Sequence, residues 1–156
     1  MGIIDLIFIF SAQYLYAAII VIGFFYFLRQ SSATRKQMII LGVFVLPITY
    51  AVAKIAGHFY YNPRPFVQDN FIPLILHKPN NGFPSSHTLV CAAISALVYP
   101  FSRKLSMILW MMTALVGISR VYVGVHHFID ICGSAVISIA VTRLMYKLVT
   151  RLKPQS

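Results

Sequence analysis

Charge is what this sequence has least of. Of 156 residues, 13 are Lys or Arg and only 3 are Asp or Glu, whereas a soluble domain gives roughly a quarter of its residues to charge. Too little remains to cover a water-facing surface, so a soluble globular fold is excluded. Cysteine is scarce as well. Cys91 and Cys132 both lie in apolar stretches, which excludes a disulfide framework and leaves two small packing residues. The low hydrophobicity of a disordered chain is missing. So is the polar–apolar alternation of a membrane β-barrel strand. No basic segment precedes the first apolar run. Met1-Gly2-Ile3-Ile4-Asp5 therefore reads as the start of a membrane helix and not of a cleaved signal. There is no internal repeat and no low-complexity tract.

What is present is apolar: 59% of the residues, with a mean hydropathy of +0.79. Crossing a hydrocarbon core takes about 20 such residues, with roughly 17 as the lower limit. Five spans are expected, from near Ile3 to Leu28, Met38 to Gly57, Ser86 to Tyr99, Leu105 to Ser119, and Phe128 to Val149. The third and fourth are short. Between the second and third, residues His58 to Ser86 hold Pro63, Pro65, Pro73, Pro79, Pro84 and the turn signal Asn80-Asn81-Gly82, a density of helix breakers that makes a loop. The fold class is all-α: a polytopic membrane helical bundle of about five transmembrane helices, with residues 1–156 as one domain.

The net charge of +10 raises nucleic-acid binding as one reading, but the distribution of the cations favours another. With five spans, one side receives Arg29, Arg35, Lys36, Arg103, Lys104, Arg143, Lys147, Arg151 and Lys153, nine in all. The other receives four: Lys54, Arg64, Lys78 and Arg120. The positive-inside rule places the richer side in the cytoplasm. The N-terminus is then outside, the C-terminus inside, and the Pro-rich loop faces outward in an inner or plasma membrane. The bilayer is the partner, and nucleic acid is not.

All five histidines and two of the three acids fall in the Pro-rich loop, the start of the third span and the turn between the fourth and fifth. Ionisable groups near membrane depth are costly and point to function. Pro84-Ser85-Ser86-His87 opens an apolar helix with Ser as N-cap, and such an end offers free N–H groups to an anion. Arg64 and Arg120 bring forked donors that suit phosphate oxygens. His126 and Asp130 stand four apart, so on a helical turn they share a face. A carboxylate on one ring nitrogen leaves the other as a directed nucleophile. His87 is a separate imidazole for proton transfer. Together these suggest phosphoryl transfer through a phosphohistidine. Two other readings use the same residues: a metal site on His87, His126, His127 and Asp130, and a non-enzymatic lipid-binding or transport protein. His58 and His77 read as interfacial side chains.

Three motifs now carry a resemblance. Ser119-Arg120, five residues, His126, three residues and Asp130 form one. Pro84-Ser85-Ser86-His87 is a second, and Arg64-Pro65 ends a third. In this the chain resembles the type-2 phosphatidic acid phosphatase superfamily of membrane lipid phosphatases. It departs from that family twice. Ser86 stands where the second motif has Gly, and Gly57 stands seven before Arg64, where the first has Lys. The nearest lysine is Lys54. Asn62-Pro63-Arg64-Pro65-Phe66-Val67 and Phe83-Pro84-Ser85 are further similar to the undecaprenyl pyrophosphate phosphatases of the bacitracin-resistance type.

The resemblance implies the roles. His126 would attack phosphorus, Asp130 would orient it, and His87 would protonate the leaving oxygen and then activate water. Arg64, Arg120, Ser85, Ser86 and a displaced Lys54 would hold the phosphate oxygens. It implies no cofactor and no metal, since fixed cations and N–H groups supply the stabilisation that phosphoryl transfer requires. The implied substrate is a lipid (pyro)phosphate, first of all undecaprenyl pyrophosphate, with phosphatidylglycerophosphate or another glycerolipid phosphate as the alternative.

Overall fold

A computed structural model describes residues 2–151. The chain forms α1 (Ile3–Leu28), α2 (Ser32–Phe59), a single-turn α3 (Pro65–Gln68), α4 (Ser86–Val98), α5 (Arg103–Tyr122) and α6 (Phe128–Arg151). Among the described residues, α1, α2, α5 and α6 are long and apolar enough to cross a membrane. The third expected span is shorter than a crossing. The 13 residues of α4 rise only ~20 Å, against a hydrocarbon core of about 30 Å. Two other spans start earlier than hydropathy suggests, because hydroxyl caps decide their ends. Ser31 Oγ accepts from Thr34 N and Ser102 Oγ from Leu105 N, each at 3.3 Å, so Arg35, Lys36, Arg103 and Lys104 ride on first turns. Of the nine cations assigned to one side, Lys153 lies outside the described residues.

The short α4 is the axis of the bundle, and α1, α2, α5 and α6 all pack on it. Its Cys91 and Val98 join Ile19, Leu109 and Val116 in one buried cluster. Lipid offers little hydrophobic drive for helix association, so close approach and hydroxyl bridges hold the helices together. Ser106 Oγ donates to Ser95 O at 2.7 Å, Ser95 and Thr113 share a hydroxyl bond at 3.1 Å, and Ser138 Oγ donates to Leu89 O at 3.2 Å.

The alternating helix directions bring the C-terminal ends of α2 and α5 and the N-terminal ends of α4 and α6 to one end of the bundle. The start of α1 joins them: Tyr122 Oη donates to Asp5 Oδ1 at 2.8 Å and its ring stacks on Phe8. At the opposite end α5 and α6 diverge around an opening of about 980 Å³ lined by Arg103, Arg143 and Lys147. The Pro-rich loop folds back over the first end. Its two arms meet in a bridge between Pro63 and Asn81. Asn81 ties them, its side-chain carbonyl accepting from Asn62 N (2.9 Å) and Phe83 N (3.0 Å) and its amide donating to Gly57 O at 2.7 Å.

Candidate active site

The turn from α5 into α6 builds the centre of the site. Gly124 has φ +81° and an added Cβ would lie 2.6 Å from the Phe71 ring, so only glycine makes this turn without strain. The turn delivers His126, and Asp130 follows in the first turn of α6. His126 thus precedes the helix, and the pair meets through the lead-in turn and not across a helical face. Asp130 Oδ2 accepts from His126 Nδ1 at 3.2 Å and from the backbone N–H of His127 at 2.9 Å, while its Oδ1 accepts from Asn62 Nδ2 at 2.7 Å. A carboxylate at a helix N-terminus is also favoured by the helix dipole.

This bonding fixes the ring. With Nδ1–H donated to Asp130, Nε2 is left with its lone pair. That lone pair faces Arg64 Nη1 at 3.1 Å. His126 is 2% exposed. Burial, reinforced by Arg120 and Arg64 and opposed by Asp130, pulls its pKa down to about 4. The imidazole is therefore neutral at pH 7, the form a nucleophile requires.

Arg64 is locked by the loop. Besides His126 it donates to Val125 O at 2.7 Å, and its Nε donates to Asn80 Oδ1 at 3.0 Å. Burial lowers its pKa from the usual arginine value and the Asp130 charge opposes that shift. Arg120 is different. It is 2% exposed and Nη1 donates to Ala12 O at 3.3 Å, but Nε and Nη2 have no partner among the described residues. Buried guanidinium nitrogens left unpaired are costly. They mark the place where an anion would be bound.

The start of α4 points the same way. Ser85 occupies the N-cap position but makes no capping bond. Its Oγ accepts from Thr88 Oγ1 at 3.2 Å instead, which leaves the first amides of α4 free for an anion. Ser134 pins this end to α6, its hydroxyl lying 2.9 Å from Ser85 O and 2.8 Å from Asp130 O. Ser85 is fully buried and Ser86 is exposed. His87 packs edge-on against Tyr16 at 4.7 Å and shares a cavity of about 320 Å³ with Arg120 and His77.

The structure thus gathers His126, Asp130, Arg64, Arg120, Ser85 and His87 at one end. It does not bring Lys54 there. Lys54 is exposed on α2 and its Nζ sits 5.4 Å over the Tyr50 ring. The reason lies at Gly57, where a Cβ would come 2.7 Å from Phe83 O. The backbone of the loop fills the room a first-motif side chain would need. The four-residue metal set is not assembled either. His126 Nδ1 is committed to Asp130, His127 Nε2 is 3.1 Å from Pro63 O, and among the described residues no group of three His, Cys, Asp or Glu could hold a metal ion.

Sequence reasoning misses Asn62, Asn80, Asn81 and Ser134. Two of these stand in what reads as turn chemistry, and their partners lie far off in sequence. It also places His77 at the interface. His77 is half-buried with its ring 6.2 Å from that of His126.

A helical membrane bundle with a His–Asp pair and two buried guanidinium groups at one end has the outline of a membrane phosphatase. The chain belongs to the PAP2 superfamily, which it matches over residues 37–154. It is 32% identical over 156 residues to the undecaprenyl-diphosphatase BcrC of Bacillus subtilis, covering 98% of this chain and 79% of that protein. It is 34% identical over 116 residues to the bacitracin transport permease protein BcrC of Bacillus licheniformis, covering 73% of this chain and 56% of that one. Among solved structures, Aquifex aeolicus LpxE superposes with a TM-score of 0.74 at 23% identity, covering 94% of this chain and 87% of its own. That last likeness speaks for the fold alone. The chain is a multi-pass membrane protein and a phosphatase of this superfamily.

Proposed function

We propose that this chain removes the terminal phosphate of undecaprenyl pyrophosphate, releasing undecaprenyl phosphate and inorganic phosphate. The observation that carries the mechanism is the fixed tautomer of His126: Asp130 holds Nδ1–H and turns a bare Nε2 toward Arg64. The substrate is supported by the 32% identity to an undecaprenyl-diphosphatase over nearly the whole chain.

In the first step a terminal phosphate enters between His126 and Arg120, and its oxygens draw Arg64 off the ring nitrogen. His126 Nε2 attacks phosphorus, and the bond to the bridging oxygen breaks. His87 donates a proton to the leaving lipid phosphate. Arg64, Arg120, the Ser85 hydroxyl and the amides at Ser86 hold the equatorial oxygens, where charge is spread in the transition state. In the second step His87 takes a proton from water, which attacks the phosphohistidine. The P–N bond breaks, phosphate leaves, and His126 returns to its neutral form. The site faces the extracytoplasmic side with the N-terminus outside and the C-terminus in the cytoplasm. The excess of cations at the α1–α2 and α4–α5 turns and along the end of α6 supports that orientation.

The test is phosphate release by purified protein in detergent with EDTA, across undecaprenyl pyrophosphate, phosphatidylglycerophosphate and phosphatidic acid. Preference for the pyrophosphate is expected, with His126→Ala and His87→Ala each losing most of the rate. Preference for a glycerolipid phosphate would overturn the substrate. Wild-type rates in both variants would overturn the mechanism.

A further inference from the structure

One imidazole in the site belongs to none of the three motifs. His77 lies on the Pro-rich loop, and the segment just before it is anchored. Leu74 N donates to Val123 O at 3.1 Å. Ile75 is buried in a cluster with Ala12, Val123 and Val125. Those contacts fasten the segment between α1 and the end of α5, and they hold His77 at the cavity of about 320 Å³ it shares with His87, Arg120 and Gln13. Gln13 is the only side-chain amide in the apolar run of α1, and it lines this cavity.

We infer that His77, with Gln13 and the free edge of Arg120, forms a subsite for the second phosphate of a diphosphate lipid, the one that stays on the product. The inference rests on the reading above that the substrate is a diphosphate. A monoester needs one cradle of donors, and Arg64, one nitrogen of Arg120 and the start of α4 provide it. A diphosphate brings a second set of anionic oxygens into the same low-dielectric end and needs donors of its own. Arg120 has two unpartnered nitrogens, Nε and Nη2, so one can hold the transferring phosphate and the other can reach the second phosphate. The His77 ring stands 6.2 Å from that of His126, so His77 lies beside the phosphoryl group that His126 attacks, in the cavity it shares with His87 and Arg120.

The hydrogen bonding of His77 adds a pH signature. Its Nδ1–H donates to Lys78 O at 3.4 Å, which leaves Nε2 as the ring nitrogen open to a ligand. The groups around it are Arg64, Arg120, His87, His126 and Tyr14. Burial first, and then the charges of Arg64 and Arg120, push its pKa below the ordinary value. The ring is therefore neutral at pH 7, with no second N–H to donate. Phosphate oxygens favour the protonated ring, so diphosphate binding takes up a proton and weakens as pH rises.

The test compares the purified full chain with His77→Ala and His77→Gln on a prenyl diphosphate and on phosphatidic acid, together with inhibition by inorganic pyrophosphate and by phosphate. His77→Ala is expected to raise KM for the diphosphate, and Ki for pyrophosphate, by about tenfold or more, the loss of one charge-assisted bond. The monoester and phosphate constants should stay within about twofold, and kcat within about threefold. His77→Gln, which keeps a donor, should recover part of the affinity without its pH dependence. Equal losses on both substrate classes would reduce His77 to a structural role, and unchanged diphosphate constants would end the proposal. If the wild-type protein turns over only monoesters, the substrate reading itself fails, and that is known before any variant is made.

Discussion

Asp130→Asn tests the centre of the mechanism. All three partners of the carboxylate are donors: His126 Nδ1 and His127 N at Oδ2, and Asn62 Nδ2 at Oδ1. An amide must turn its NH₂ toward one side. Oδ2 serves two donors and Oδ1 only one, so the amide oxygen stays facing His126 and the NH₂ faces Asn62. The Asn62 amide then flips and accepts the bond. The tautomer of His126 survives and only the charge is lost. That charge sits 3.2 Å from a ring that becomes cationic as its Nε2 bonds phosphorus. At an effective dielectric of about 20, a unit pair at that distance is worth ~5 kcal/mol. The charge develops only in part, so a loss of roughly 10³-fold in phosphohistidine formation is expected, at about 1.4 kcal/mol per tenfold. Asn62→Leu in the same background removes the amide that can flip. The NH₂ introduced by Asp130→Asn is then left without an acceptor, while its oxygen still serves His126 Nδ1 and His127 N. A loss of stability of about 1–3 kcal/mol from the unpaired amide is expected, with little further loss of rate. The assay is rapid mixing with substrate, an alkaline quench that preserves phosphohistidine, and phosphate release in parallel, with thermal melting as the folding control. A single variant within tenfold of wild type would refute the argument, because the carboxylate charge would then have no part in activating His126.

Three further outcomes follow from the same geometry. Lys54→Ala should leave the rate within about twofold, since the ammonium rests over Tyr50 and an exposed cation–π contact is worth only ~0.5–1 kcal/mol; Gly57→Lys, which puts the family residue back, should lower activity because its Cβ meets Phe83 O at 2.7 Å. The pKa of His126 is lowered to about 4, so the neutral ring persists above that pH and is lost only as pH falls through it. Nitrogen-15 spectra of the imidazole should keep the neutral pattern at about pH 5, and a midpoint near the ordinary 6.5 would contradict the burial argument. Gly124→Ala, at φ +81° and against Phe71, should cost about 1–2 kcal/mol, seen as a lower melting temperature in detergent.

Parts of this molecule are legible in sequence because one-dimensional signals carry them. Apolar run length gives α1, α2, α5 and α6, and the motif spacing gives the meeting of His126 and Asp130, although through a lead-in turn and not the helical face that the i, i+4 spacing suggests. What resists reading depends on contacts distant in the chain. Asn62 reaches Asp130 across 68 positions, and Arg64 reaches Asn80 across 16. An asparagine in a Pro-rich stretch looks like turn chemistry until its partner is known. The starts of α2 and α5 escape hydropathy for a related reason. Hydropathy stops at the hydrocarbon edge, but a serine cap carries the helix past it.

The departure at Gly57 shows how such distant contacts rewrite a motif. Seven residues before Arg64, a side chain has no room, because the loop backbone at Phe83 lies against that point and Asn81 donates to Gly57 O at 2.7 Å. The same asparagine accepts from Asn62 N, and Asn62 in turn bonds Asp130. The place a lysine side chain would take and the knot of amide bonds are thus one and the same space. A flexible ammonium there would cost up to ~2 kcal/mol of rotamer entropy to order, whereas the short amide bonds present brace Asp130, and through it His126. The cations gathered at this end of the bundle are Arg64 and Arg120, both buried and both restrained by backbone carbonyls, Val125 O for one and Ala12 O for the other. Charge is scarce in this chain, and at its site the few charges present are fixed in place before substrate arrives, as electrostatic stabilisation of phosphoryl transfer requires.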